Sequence, residues 1–591
     1  MVGRMIGKLA DYIVSPLGMG TRVNYEAVKA GQTRLRRYEG LWGLPEPFVA
    51  SLLDDNLLAS ACRAEDIDVL RYTRFERLAI LAAARALQHT GIRPESSEVL
   101  FILASTKGNV GLLDERQGPS WPSGRLLLTE AARQVTGWFR NPNEPLVVCN
   151  ACISGMDAQL EAIRALESGR YRQAVVIGVD VLSPFIVSGF QSLKALSAEP
   201  CRPFDEDRSG LSLGEAAACV VYGLLDEKAE ATFHGWSVVD AAVRNDAYHV
   251  SSPSKTAEGA CRALRSVLAE KDLSGLAFVN VHGTATLFND EMEAVALDRM
   301  GLSDLPANGL KGYFGHTLGA AGVLETLISM EALDDGIILA TRGFEYPGVS
   351  RRINISAEHR PVAGSAFLKL MAGFGGCNAA LLFCKGGTIP TAYSSRPWEA
   401  VSERVSHTVH LTECEAVVDG RFLPVEGQGQ ALLKFLYQTY VGDYPKFYKM
   451  DPLCKLGFLA SELLLQAEEK EGQSRFIPCE DRAVVMVGRS ASICADRAYQ
   501  QTIQSADDFY PSPSAFIYTL PNIVTGEIAM RNHYHGETTC LLQETPANVH
   551  SLLSRALRAP GIQSVLGGWL DVADPDRFEA TIYIINRANH I

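Results

Sequence analysis

The chain has 591 residues, 47% apolar and 21% charged, which is more than one hydrophobic core organises and fits a globular protein of several units. Fifty-five Lys and Arg against 68 Asp and Glu leave a formal charge of −13, which speaks against nucleic acid as a partner. Thirteen cysteines without paired ligand spacing read as reduced thiols with no metal site, and with no signal-peptide core and no apolar run of about 18 residues the expectation is a soluble, cytoplasmic protein without a membrane span.

In chain order, residues 1 to 45 give a short apolar segment, a turn at Ser15-Pro16-Leu17-Gly18 and a helix-like basic stretch through Arg34-Leu35-Arg36-Arg37. Phe75 to Leu87 has helical spacing and good helix formers, and Glu98 to Thr106 reads as a buried strand. Val147-Val148-Cys149-Asn150-Ala151-Cys152-Ile153-Ser154-Gly155 is an apolar run, a small-residue turn and the start of a helix. It puts a cysteine at a strand-to-helix corner. The unpaired N–H groups of a helix start lower a thiol's pKa and can hold an oxyanion, so this is a place for a nucleophile, although a cysteine among apolar residues also serves as inert core. Ala174 to Asp180 is a further apolar run, and the alternation of strand and helix favours a sheet covered by helices.

Cys201-Arg202-Pro203-Phe204-Asp205 through Leu213-Gly214-Glu215-Ala216-Ala217 is a charged, Gly-punctuated loop that packing alone does not demand. A second alternating block, from about 235 to 390, carries His282 in Val281-His282-Gly283-Thr284-Ala285-Thr286 and His316 in Lys311-Gly312-Tyr313-Phe314-Gly315-His316-Thr317-Leu318-Gly319. Either histidine alone reads as a satisfied structural residue; with the cysteine corner they make a candidate Cys-His-His constellation, and glycines beside them let backbone and ligand approach. Gly373-Phe374-Gly375-Gly376 sets a lone Phe between glycines, or is an ordinary turn.

These blocks, in this order, resemble the β-ketoacyl synthases of the thiolase superfamily over roughly residues 1 to 390. The resemblance implies a layered αβαβα fold of two related halves, 1–232 and 233–390, and an acyltransferase performing decarboxylative Claisen condensation of an acyl chain with malonyl-acyl carrier protein. It implies no cofactor and no metal, with acyl carrier protein and malonyl and acyl thioesters as partners in fatty acid or polyketide-like biosynthesis, an aryl polyene type included. By position, Cys152 is similar to the acyl-accepting nucleophile, His282 and His316 to the pair assisting decarboxylation, and Lys311 to the lysine orienting them. Cys152 and Phe374 N–H groups resemble the oxyanion hole, the Phe374 ring a gate, and Glu325, Asp290 and Glu293 acids that hold loops and the lysine. Met371-Ala372, Cys377-Asn378 and Ala285 with Leu287-Phe288-Asn289 depart from the family pattern, which bears on substrate more than chemistry. Rival readings are a non-catalytic chain-length-factor-like scaffold, a cysteine hydrolase, and a thiolase-like acyl-coenzyme A transferase with Cys377 as its second thiol. A small basic patch is expected to dock the acidic carrier.

Beyond a linker at Ile389 to Pro397 lies a unit from 400 to 591 that the family does not require. Leu453 to Leu465 reads as a helix and Arg482 to Gly488 as a strand, as in the first half. A gap-free shift of 391 positions lays Cys149 on Cys540, Arg140 on Arg531 and Asp180 on Asp571, and puts Gln543 where Cys152 stands. The unit therefore resembles a degenerate synthase half, with Gln543 as a pseudo-site residue like that of a chain-length factor. His533 and His535 lack companion ligands and read as surface loop residues. A homodimer or synthase-like heterodimer is expected, with the tail docked through its uncovered faces.

Overall fold

The computed structural model describes residues 5–114, 121–226, 230, 232–386, 401–505 and 509–588. The first sheet takes Ile6–Ser15 (β1), Val99–Ala104 (β2), Leu146–Val148 (β3), Gln173–Asp180 (β4) and Ala216–Leu224 (β5) in the spatial order β3-β2-β4-β5-β1. The second repeats that order with Trp236–Asn245 (β6), Leu276–Asn280 (β7), Ala307–Asn308 (β8), Ala366–Gly373 (β9) and Cys377–Lys385 (β10) as β8-β7-β9-β10-β6. In each sheet the first three strands in space are parallel and the last two antiparallel.

Helix Arg74–Leu87 (α1), expected from its spacing over Phe75 to Leu87, starts in a capping box between Thr73 and Glu76. Leu128–Trp138 (α2) also belongs to the first unit. Between the sheets lie Ser154–Glu167 (α3) and, later in the chain, Ala321–Asp334, which are buried almost all round. They cross closely because both lack side chains at the crossing: a Cβ on Gly155 would sit 2.7 Å from the Gly319 carbonyl oxygen, and one on Gly322 would sit 2.6 Å from the Met156 nitrogen. That approach brings two helix N-termini together, one after Cys152 and one after His316.

The basic stretch at 34–37 is not helical. The preceding helix, Thr21–Lys29, ends before Gly31 at φ +70, and Arg36–Tyr38 pairs as a short strand with Phe48–Ser51; sheet pairing outweighs local propensity there.

The tail repeats the topology a third time. Glu403–Thr412 (β11), Arg482–Gly488 (β12), Thr538–Leu542 (β13), Ser564–Asp574 (β14) and Arg577–Arg587 (β15) lie in the order β13-β12-β14-β15-β11. Asp571 accepts the N–H groups of Arg489 and Ser490, as Asp180 accepts those of Thr106 and Lys107. The expected linker lies outside the described residues.

The tail docks on the synthase half by its sheet edge. Strands β3 and β13 pair antiparallel, with Val148 opposite Leu541 and Val147 opposite Leu542, and the Cys149 N–H donates to the Cys540 carbonyl at 3.0 Å. The two units share one apolar cluster, to which helix Val549–Leu557 contributes Leu552 and Leu553 beside Met156 and Leu160 of α3. The uncovered face expected of a lone half is largely polar at its outer edge. Val409 and Leu411 of β11 and Ile582 and Ile584 of β15 point into the tail's own core, while Ser406, Thr408, His410 and Thr581 on the alternate positions are only partly buried. Alternation makes one face apolar and leaves the other content in water.

Charge also crosses the junction. Buried Arg164 of α3 pairs with Glu537 at 2.5 Å and with Glu161 at 2.8 Å. Removing one partner of a buried pair costs about 3–5 kcal/mol, because the other charge is left without compensation. Glu537→Ala leaves Arg164 with Glu161 as its remaining partner and is therefore expected to lower stability by less, about 1.5–3 kcal/mol, in urea denaturation; a loss below about 1 kcal/mol would mean that water reaches Arg164.

Candidate active site

Cys152 lies in the turn between β3 and α3, directly after Ala151, which adopts left-handed backbone at φ +48. A non-glycine residue there is strained, and such strain collects at functional corners. His282 follows β7 and His316 precedes the second buried helix. The Cys152 sulfur and a ring nitrogen of each histidine lie within 4.8 Å of one another, and the imidazoles meet edge to face at 5.1 Å between centroids.

The histidines are held from behind. Glu293 accepts the N–H groups of His282 and Gly283 at 2.6 and 2.7 Å. Lys311 donates to the His282 carbonyl at 2.6 Å and to Glu325 at 2.7 Å. Asp290 accepts from Phe204 at 2.7 Å and from Ala285 at 3.2 Å, which closes the neighbouring loop. His316 Nδ1 accepts the Leu318 N–H at 3.2 Å, so its proton sits on Nε2, which is buried without a protein partner. His282 Nδ1 is likewise unpartnered.

Burial, with the Lys311 ammonium second, holds both histidines well below the usual imidazole range, so they are neutral donors at pH 7. Burial pushes the Cys152 thiol up to about 12, against the lowering influence of Lys311 and of the Cys152 and Phe374 N–H groups. The lowered thiol pKa expected from the helix start is thus reversed, because desolvation outweighs the helix end. The residue keeps a partly exposed surface toward the pocket while its sulfur is desolvated.

Lys369, in the apolar strand β9, was not singled out by its sequence setting. It is fully buried and bonds Glu325 at 2.7 Å, so that one carboxylate holds two ammonium groups. The only signal was a charge in the middle of the buried run Ala366 to Met371. Asp180 is another such residue: it accepts Gly319 N–H at 2.7 Å and the Ser105 hydroxyl at 2.7 Å, tying the loop after His316 to β2. The Cys-His-His spacing would also suit a metal ion, but Lys311 and Lys369 behind the histidines oppose a dication.

A pocket of about 350 Å³ opens onto Cys152, His282 and His316, with Leu287 and Phe288 at its rim, 58% and 70% exposed. Phe374 stacks on Phe190 at 6.3 Å. Behind them Phe185, Tyr499 and Phe516 form an aromatic cluster, the last two from the tail. Cys377 lies beneath the turn with its thiol 3.2 Å from the Phe374 carbonyl.

The sequence models of the β-ketoacyl synthase N-terminal and C-terminal domains match residues 48–229 and 236–345. The chain belongs to the β-ketoacyl synthase family, and acyl-transferring condensation is the chemistry of that family. The 3-oxoacyl-[acyl-carrier-protein] synthase 2 of Rhizobium meliloti (strain 1021) is 29% identical over 63% of this chain and 96% of its own. A β-ketoacyl synthase structure from Burkholderia phymatum STM815 matches 65% of this chain and 99% of its own at 25% identity and TM-score 0.56. The structure titled PfaC Keto synthase-Chain length factor spans 100% of this chain and 79% of its own at TM-score 0.75 and 13% identity, a likeness of fold alone.

Gln543 does not stand at the counterpart of Cys152. In the sheets, β2 pairs Leu103 with Val147 and Ile177, and β12 pairs Met486 with Cys540 and Gly568. Val147 therefore corresponds to Cys540 and Asn150 to Gln543, while Thr545 falls in register with Cys152. The gap-free shift holds for β4 and β14 but slips by two residues at β3 and β13. Gln543 is buried among Leu100, Glu144 and Leu146, at the far end of the antiparallel edge. Glu144 takes the Glu544 N–H at 2.7 Å and the Asn548 side-chain amide at 3.1 Å, filling the loop between β13 and the helix that follows it. His535 is not a surface residue either: it is partly buried, with Nδ1 3.2 Å from the Asn245 carbonyl.

With its thiol neutral at rest, Cys152 should be alkylated by iodoacetamide at a rate that keeps rising from pH 7 to pH 10, about tenfold per unit, with no plateau near the ordinary cysteine pKa of about 8.5. Peptide mass spectrometry reads this directly; a plateau below pH 8 would show a resting thiolate.

Proposed function

We propose that Cys152 takes an acyl chain from a carrier thioester and that His282 and His316 then promote condensation with malonyl-acyl carrier protein. In the first step the Cys152 sulfur bonds the acyl carbon, the carrier sulfur leaves, and the thiol proton ends on the carrier. In the second, malonyl loses carbon dioxide and the two neutral imidazoles hold the thioester oxygen of the resulting enolate. The enolate carbon bonds the acyl carbon, and the Cys152 sulfur leaves and recovers a proton. Donors aimed at a developing oxyanion in a water-poor site are the largest lever available here. The observation that carries this reading is one thiol beside two neutral, outward-facing imidazoles. Glu325, Asp290, Glu293 and Lys311 are positioning groups in it.

Three units, 1–232, 233–390 and 400–591, are proposed as the domains. The pairing of β3 with β13 supports reading the tail as a built-in counterpart of a second subunit, in place of the homodimer expected from the resemblance. Acyl carrier protein is the proposed partner, approaching the rim at Leu287, Phe288 and Lys194. Tyr499 and Phe516 behind the Phe190–Phe374 pair support a pocket-shaping role for the tail in fatty acid or polyketide-like, including aryl polyene-type, synthesis in the cytoplasm. Among the described residues no helix is long and apolar enough to cross a membrane.

Labelled malonyl carrier with an acyl carrier should release carbon dioxide and yield a β-ketoacyl product. Cys152→Ala should abolish the product, and His316→Ala should slow it by about 10²–10³-fold, the usual cost of one oxyanion donor. A wild-type protein that binds carrier yet neither acylates nor condenses would favour the scaffold reading. Phe516→Ala should lengthen the products seen by mass spectrometry; unchanged lengths would count against pocket shaping by the tail.

A further inference from the structure

The tail reaches the turn beside the catalytic cysteine. Gly373 to Gly376 forms the turn whose Phe374 N–H faces the Cys152 thiol, and the turn is tied from several sides. Gly375 N–H donates to Val250 at 2.7 Å, and Asn245 Nδ2 donates to the Gly375 carbonyl at 2.8 Å. From the tail, Asn522 Nδ2 donates to the Phe374 carbonyl at 2.8 Å and lies 3.8 Å from the Cys377 sulfur. The reverse amide orientation would set two oxygens against each other, so chemistry fixes this one. Asn522 precedes helix Ile523–Asn532. The fit is close: a Cβ on Gly375 would lie 2.7 Å from Asn522 Nδ2, and one on Gly526 would lie 2.6 Å from the Gly375 carbonyl oxygen.

The two units differ at this position in a way that points to use. By the two-residue slip found at β3 and β13, Asn522 falls in register with Thr129 in the first turn of α2, a residue without an amide. Among the described residues there is no second Gly-Phe-Gly turn for Thr129 to hold. The amide is present where there is a turn to hold and absent where there is none.

We infer that Asn522 is a positioning residue of the Cys152 site, by which the tail fixes the Phe374 peptide so that its N–H is aimed at the oxyanion formed during acyl transfer. This rests on the condensing role proposed above. The carbonyl held by Asn522 belongs to the residue that supplies the donor, and Gly375 beyond it, at φ +88, would otherwise let the turn rotate. The acyl oxyanion needs this donor; the malonyl enolate is served by the histidines.

The test separates those two steps in the full chain. Asn522→Leu, which keeps the side chain's shape without its amide, and Asn522→Ala should slow acylation of Cys152 by an acyl carrier by about 10–100-fold, less than the direct loss of a donor. Decarboxylation of malonyl carrier without an acyl donor should stay within about twofold, since the histidines are untouched. Asn522→Asp should recover acylation relative to wild type as pH falls and the buried acid regains a donor proton. Equal loss of both activities, or no loss of acylation, would overturn the inference. Should Asn522→Ala fail to fold, the near-isosteric Leu and Asp variants are judged by the same ratio. A wild type that decarboxylates nothing and acylates nothing would instead overturn the underlying functional reading.

Discussion

An unpaired strand edge in the middle of a molecule is costly, and the edge of β3 is where this chain meets that cost. The strand is short, wholly apolar and immediately precedes the nucleophile, so water cannot satisfy it without reaching the active-site corner. Pairing with β13 removes the edge and fixes the tail's position to one register, because a one-residue slip would turn Leu541 and Val148 to the wrong faces. Everything else the tail does follows from that register. It brings Asp496 to Lys107 at 2.7 Å, sets Tyr499 against Ser188 at 3.0 Å, and lays a helix start on the Phe374 turn. The same pairing carries buried polar partners, Asn150 Nδ2 on the Thr538 carbonyl at 2.9 Å among them, which leave little freedom for an alternative dock.

The charge arrangement inside the site follows a related economy. Three ionisable groups, Lys311, Lys369 and Glu325, are almost completely buried together, and each alone would be expensive. Linked through one carboxylate they leave a net positive potential behind the histidines. That potential helps keep the imidazoles neutral, and it favours the negative charge that develops on a bound thioester oxygen. A resting thiolate would also benefit, yet desolvation of the sulfur is larger. The site therefore stores its favourable field for the transition state, where it counts.

Much of this was legible in the sequence for physical reasons. Buried parallel strands such as Val99–Ala104 and Gln173–Asp180 announce themselves as apolar runs, and α1 by its helix formers and helical spacing. Cys152, His282 and His316 stood out because glycines cluster beside them where backbone must approach. What was hidden depended on the third dimension. Lys369 looks like an ordinary strand lysine until Glu325 is placed beside it. Arg36 and Arg37 have no helical fate once Ala50 and Val49 are available as partners. Gln543 was misplaced because a gap-free shift assumes equal loop lengths, whereas the tail's corner is built without the left-handed step at Ala151. Asn522 reads from sequence only as part of a helix start; its meaning lies in the Phe374 carbonyl far along the chain.

Duplication of a half without its companion creates a definite physical problem, and the tail's composition answers it unevenly. Near the junction its strands and helix stay apolar, since α3 and its neighbours cover them. Away from it the alternate positions of β11, Ser406, Thr408 and His410, are polar, and on β15 the change comes at Thr581, beyond Tyr583 and Ile585 in the shared cluster. The would-be nucleophile corner is occupied by Glu144, whose carboxylate takes the N–H groups of Glu544 and Thr545, the second in register with Cys152. A backbone N–H already bonded to a protein carboxylate is not free to receive an oxyanion. The contact between the units thus also closes the tail's corner, whereas the corner at Cys152 opens onto the pocket.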